Sequence, residues 1–171
     1  MAVRITKQIL EQIISYLGLS GKMGLPEVSL LSKEEYLEAR SNWISAGIAE
    51  LDFDGKVYFN QPYVRMLYNI VNARAVLVFK CNHSNIWCVR GPVDLLWIET
   101  VDGDEVCNLH RSSNSTFGDS LLDEWRKCEN GKLHVYREAD GKVKDIEMNS
   151  KDLDSDDNKL TIQQFFFVEA G

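Results

Sequence analysis

The stretch "NWISAGIAELDFDGKVYFNQP", residues 42–62, closes one helix, turns a short hairpin and opens another helix, and its reading decides the fold. Gly47 stands where a helix exit needs positive φ, with Ile48 placed to pack back on Trp43. The segments "IAELDF" and "KVYF" then flank Asp54-Gly55, a strong hairpin signal because a type I′ turn needs positive φ at both central residues. Asn60 is placed to cap the next helix and Pro62 falls in its first turn. Tyr63, Leu67, Ile70 and Val71 give that helix one apolar face.

Upstream, "RITKQILEQIISYL" (residues 4–17) spaces Ile5, Ile9, Ile13 and Leu17 four apart and predicts an amphipathic helix stopped by Gly18. A Gly-rich loop with Pro26 leads to a second helix, whose start is marked by a Ser32–Glu35 capping box between the stapling side chains Leu31 and Tyr36. Helix, helix and hairpin together make a winged-helix-like element. From Ala75 the period changes to two: "AVLVFK", "NIWCVR", "VDLLWIETV" and "EVCNLHR" predict an antiparallel meander broken at Asn82–Ser84, Gly91-Pro92 and Asp102-Gly103. A fourth helix, "FGDSLLDEWRKC", starts at Thr116. Two strands meet at Asp140-Gly141, an acidic linker covers about 149–159, and "KLTIQQFFFVEA" is predicted to be a last strand. The expectation is one α+β domain over 1–171, with a helical part (1–72) carrying the hairpin and an antiparallel sheet with packed helices (73–171).

Charge narrows the function classes. Residues 1–80 carry 9 Lys plus Arg against 8 Asp plus Glu, and residues 81–171 carry 10 against 18, for a net charge of −7. The second helix has Glu34, Glu35 and Glu38 against Lys33 and Arg40, and the hairpin tip has Asp52 and Asp54 with Lys56. Phosphate binding draws on clustered Lys and Arg, so nucleic acid is not an expected partner. No basic start precedes an apolar run and no apolar run approaches the ~18 residues of a membrane span, so a cytoplasmic protein is expected. In that compartment Cys81, Cys88, Cys107 and Cys128 are expected as reduced thiols.

The chemistry-bearing residues make no known constellation. Cys81, His83, Cys88, Cys107 and His110 lack the paired short spacings of a zinc site. "DLDSDDN" (152–158) begins like a calcium loop, but Asp157 stands where the turn needs Gly and Gln163 where a bidentate Glu belongs. There is no Gly-x-Ser-x-Gly elbow and no Gly-rich phosphate loop, and His110 and His134 stand alone as candidate bases. No catalytic residue, metal or cofactor is therefore expected.

A leucine-rich helix and loop, "NWISAGIAE", an Asp-Gly-x-Val turn, "PYVRMLYNIVNAR" and then at once "AVLVFK" resemble the N-terminal half of the EspG family, over about residues 4–111. Those proteins are cytosolic chaperones of type VII (ESX) secretion. The resemblance implies an α+β fold and a chaperone or adaptor that holds a helical substrate, of WXG/LXG or PE-PPE-like type, before export. This chain is much shorter than the mycobacterial members, which carry a second, pseudo-symmetric half. A short Gram-positive relative is the version the pattern favours.

The strand patterns suggest where a partner would bind. "VDLLWIETV" offers Val93, Leu95, Trp97 and Val101 on one face and Leu96 and Ile98 on the other, so it wants cover on both sides. Read as a strand, "LTIQQFFFVE" sends Leu160, Ile162, Phe166 and Val168 to the core and turns Phe165 and Phe167 outward. Trp97, Phe165 and Phe167 are thus the candidate partner-binding residues, and an incompletely covered sheet predicts a homodimer. Two other readings stand beside the chaperone: an immunity protein that neutralises a toxin, and a winged-helix regulator.

Overall fold

A seven-stranded antiparallel sheet divides the protein into two helical layers. The computed structural model describes residues 2–128 and 130–167. In chain order the elements are β1 (Ala2–Thr6), α1 (Lys7–Tyr16), α2 (Lys33–Ser45), β2 (Ala49–Leu51), β3 (Val57–Phe59), α3 (Tyr63–Val71), β4 (Ala75–Lys80), β5 (Ser84–Arg90), β6 (Leu95–Val101), β7 (Val106–Ser112), α4 (Phe117–Lys127), β8 (Lys132–Ala139), β9 (Lys142–Asn149) and α5 (Asp156–Phe167). The sheet order is β1-β7-β6-β5-β4-β8-β9, with β2 and β3 as a separate hairpin. The predicted meander is β4 to β7. The chain then crosses back so that β8 pairs with the free side of β4, with Leu77 opposite Val135.

Period-two alternation sorts the sheet side chains between the layers. Val76, Val78, Trp87, Val89, Leu96, Ile98 and Leu109 pack under α1, α2 and α3 in the upper layer. Leu77, Phe79, Ile86, Cys88, Leu95, Trp97, Leu133 and Val135 pack under α4 and α5 in the lower layer. The two-sided demand of Leu95 to Ile98 is thus met by a helical layer on each face.

Several expectations are corrected. The helix predicted from residue 4 starts at Lys7, because residues 2–6 form an edge strand whose Ile5 lies opposite Cys107; Thr6 caps the helix by accepting from Ile9 N at 3.1 Å. Asp54-Gly55 does not make a type I′ turn. Asp52 N donates to Lys56 O, Gly55 alone has positive φ, and Asp52 Oδ1 accepts from Asp54 N and Lys56 N, which is a three-residue loop ending in a left-handed glycine. The two-residue turn with both φ positive is instead Asp140-Gly141. Asn60 does not cap α3, whose N-cap is Pro62; its side chain donates to Gly47 O at 3.2 Å. The Ser32–Glu35 capping box and the return of Ile48 N to Trp43 O stand as expected.

The largest correction is at the C-terminal end. The acidic linker is a 3₁₀ turn over Ser150–Asp154 followed directly by α5, and the predicted last strand is that helix. Asp156 and Asp157 lie in its first turn, where the helix dipole favours negative charge. Ile162 and Phe166, one helical turn apart, are fully buried, whereas Leu160, which the strand reading sent to the core, is exposed. Val168 lies outside the described residues. The cysteines are corrected too: Cys81 and Cys128 form a disulfide with their Cα atoms 5.2 Å apart, while Cys88 and Cys107 are free and buried.

Candidate functional site

The residues singled out from the sequence do not come together on a surface. Trp97 is 1% exposed; its indole donates to Ser112 Oγ at 2.9 Å and its ring stacks with those of His110 and Phe117. Phe165 is partly buried beneath the Arg137 guanidinium, 4.6 Å from its ring, and Arg137 Nη1 donates to Phe165 O. Phe167 meets Phe117 and Phe166 edge-on at 5.0 and 5.1 Å. All three belong to the lower layer. Phe165 and Phe167 looked exposed because a strand period was applied to a helix, whereas Trp97 is in the strand expected of it and is covered by the lower layer.

The cysteines and histidines are also dispersed. Cys88 and Cys107 lie on opposite faces of the sheet. Burial pushes the Cys88 thiol well up, with Glu124 adding to it, and burial raises Cys107 to about 11. His134 is held on both ring nitrogens: Nε2 lies 2.5 Å from Asp145 Oδ2, and Nδ1 lies 3.0 Å from Tyr136 Oη. Burial, then the Asp145 and Glu147 charges, raise the Tyr136 phenol, so it stays protonated near neutral pH. The trio ties β8 to β9 on the upper face.

The feature with the most consistent chemistry is a cleft between α1 and α2. It has a volume of about 430 Å³ and is lined by Gln8, Glu11 and Gln12 from α1, residues 27–31 of the intervening loop, and Glu35 and Glu38 from α2. Helical spacing aims both sides at each other: Gln8 with Glu11 and Gln12, and Glu35 with Glu38, are neighbours on their helices. The loop is held by Ser15 Oγ donating to Ser29 O at 2.7 Å and by Ser20, whose hydroxyl donates to Val28 O and accepts from Val28 N. Beyond the cleft, Tyr16 stacks on Tyr36 at 5.6 Å and meets Trp43 edge-on at 5.4 Å, which fixes α1 against α2.

Among the described residues, every ionisable one lining the cleft is acidic: Glu11, Glu27, Glu35 and Glu38. Glu35 is partly engaged, accepting from Ser32 N at 2.7 Å. Gln12 is 9% exposed, and its Oε1 accepts no hydrogen bond among the described residues. Val28 and Leu31 pack on the upper core, while Leu30 is 82% exposed. Helix α2 buries only Ala39 and Trp43, leaving Leu37 and Ile44 exposed. An apolar lip beside an acidic wall suits an amphipathic segment carrying Lys or Arg. The sequence showed the glutamates, but not that the loop would bring Glu27 alongside those of both helices.

No known family model matches the chain, and no curated protein is significantly similar to it. Among the described residues no helix is long and apolar enough to cross a membrane.

Proposed function

We propose that this chain is a non-enzymatic, cytoplasmic protein-binding module, a chaperone or adaptor that holds a helical substrate of type VII secretion before export. The observation that carries the proposal is the cleft between α1 and α2, which among the described residues is lined by four glutamates and no cation, with Leu30 standing clear of the protein at its edge. The sequence pattern of residues 4–111 that resembles EspG chaperones supports the same reading and supplies the substrate class. An amphipathic helix would lay its apolar stripe along Leu30 and Leu31 and set basic residues against the glutamates. Such charge pairs on exposed glutamates contribute little individually, about 0.2–1 kcal/mol each, but together they steer association and set orientation.

The test is binding of a helical WXG- or LXG-type substrate by calorimetry, with wild type and with Glu11→Lys/Glu38→Lys. Neither side chain is tied into the capping box, so the variant should keep its melting temperature and lose at least tenfold in affinity. An unchanged affinity with intact fold would remove the cleft as the binding site. A second reading, an immunity protein, draws on the same acidity, because a phosphate-handling toxin presents a basic surface. Inhibition of a nuclease toxin by the wild type and not by the double variant would favour it. Self-association is part of the proposal in a narrower form. Helices cover both faces of the sheet, so a homodimer would join through an edge strand, β1 or β9, and light scattering would read twice the 19.5 kDa chain mass.

A further inference from the structure

The Cys81–Cys128 bond joins the end of β4 to the C-terminal end of α4 across 47 residues of chain. Its two sulfurs have different surroundings. Cys128 is 1% exposed, and Gly131 lies so close that a β-carbon there would stand 2.4 Å from Cys128 Sγ. Cys81 is only half-buried, at a tight turn where its N–H donates to Ser84 O at 2.9 Å. Both line an open cavity of about 310 Å³, together with His83, Arg126 and Asn130. The Arg126 side chain is largely exposed at its rim, with Nη1 3.9 Å from Asp123 Oδ1.

We propose that this disulfide is a thiol-exchange site, opened and closed by a small cellular thiol of the glutathione type, with Cys81 as the sulfur attacked. The cavity gives a small thiolate room to approach, and of the two sulfurs it reaches Cys81 more readily, because Cys128 is buried. The thiolate bonds to Cys81 Sγ, and the electron pair of the broken S–S bond leaves on Cys128 Sγ, which takes a proton from water. A second small thiolate attacks the small-thiol sulfur of the mixed disulfide, releasing the oxidised small-thiol dimer and the Cys81 thiolate, which is protonated in turn. The protein gains two electrons and two protons, and two small thiols lose them; the oxidised dimer drives the reverse.

The other two cysteines do not compete. Cys88 and Cys107 are buried on opposite faces, and burial raises both thiols. Opening the bond releases one corner rather than the fold. Gly131 O still accepts from Ser150 N and Ser150 Oγ, at 2.9 and 2.7 Å, and Trp125 Nε1 still donates to Ser150 O. The end of α4 therefore loosens while the sheet remains in place. A reducing small-thiol pool drives the exchange toward the open form, and an oxidising one drives it toward the closed form.

The experiment treats the full-length wild type, Cys81→Ser and Cys128→Ser with oxidised glutathione under native conditions, maps the adducts by mass spectrometry, and records melting with and without reductant. The expected result is one glutathione on Cys81 in Cys128→Ser and none on Cys128 in Cys81→Ser. Reduction should lower the wild-type melting temperature by about 5–10 °C and leave Cys81→Ser unmoved. If either variant fails to fold, alkylation of partly reduced wild type decides instead, with Cys81 expected to label at least tenfold faster than Cys128. Equal modification of the two sulfurs, or a wild-type melting temperature indifferent to reductant, would overturn the proposal.

Discussion

Asn69 in α3 donates its side-chain amide to Asp94 Oδ1 at 2.7 Å, and Arg111 in β7 holds the other oxygen of the same carboxylate. One side chain from the loop before β6 thus joins an upper-layer helix to the sheet. Asn69 is buried, and Gly91 is so close that a β-carbon there would stand 2.0 Å from Asn69 Oδ1. Asp94→Ala strands a buried amide and a guanidinium, and should cost about 1–3 kcal/mol in urea unfolding. Gly91→Ala should destabilise as well, and its penalty should shrink in an Asn69→Ala background, because the steric conflict is with that side chain. Strict additivity of the two changes would show that the conflict lies elsewhere.

Gly24 and Gly47 separate backbone strain from collision. Both have positive φ, but a β-carbon at Gly47 meets nothing within 4 Å, whereas at Gly24 it would stand 2.4 Å from the Tyr136 ring. Gly47→Ala should cost about 1 kcal/mol from conformation alone. Gly24→Ala should cost about 2–4 kcal/mol, since overpacking adds to the strain and disturbs the carbonyl that accepts from Trp87 Nε1. Thermal melts of the two variants side by side would check the difference.

The C-terminal helix makes a sharp distinction between residues that a strand would treat alike. Phe166→Ala should cost about 3–5 kcal/mol, because the ring is fully buried and stacks 4.6 Å from Phe117. Leu160→Ala should stay within about 0.5 kcal/mol, because that side chain is exposed. Similar losses at the two positions in a denaturant titration would restore the strand.

Alkaline pH should weaken the fold through Cys107. Its ordinary value is 9.0 and burial raises it to about 11, so the unfolded chain loses the proton first as pH rises. The contribution is fully present below pH 9 and is lost as pH climbs through 11. Stability measured across that window should fall less steeply in Cys107→Val than in wild type, and identical slopes would show that this thiol does not contribute. Other groups titrate there too, which is why the difference between the two proteins is the quantity to read.

Local chemistry made much of the fold legible. The Ser32–Glu35 capping box, the Gly47 exit and the strand runs from Ala75 to Arg90 stand because propensity, capping and period there agree with the tertiary context. Where they fail, a longer-range partner decides. Ile5 fits the helical stripe of Ile9 and Ile13, yet the edge of β7 claims it for a strand. Three consecutive phenylalanines look like strand, yet α5 fits Phe166 and Ile162 into one site below β8 and β4.

By itself the sequence determined an α+β protein with two helices ahead of a small hairpin, an antiparallel meander and an acidic balance, because capping, turn residues and period two act within a few residues of chain. The tertiary structure decided what depends on distant segments meeting. It placed β8 beside β4, turned the last segment into the helix that covers the lower face, brought Cys81 to Cys128, and gathered Glu11, Glu27, Glu35 and Glu38 around one cleft. None of these follows from local propensity. Each depends on burying a particular apolar face against another, and that choice is made only when the whole sheet is assembled.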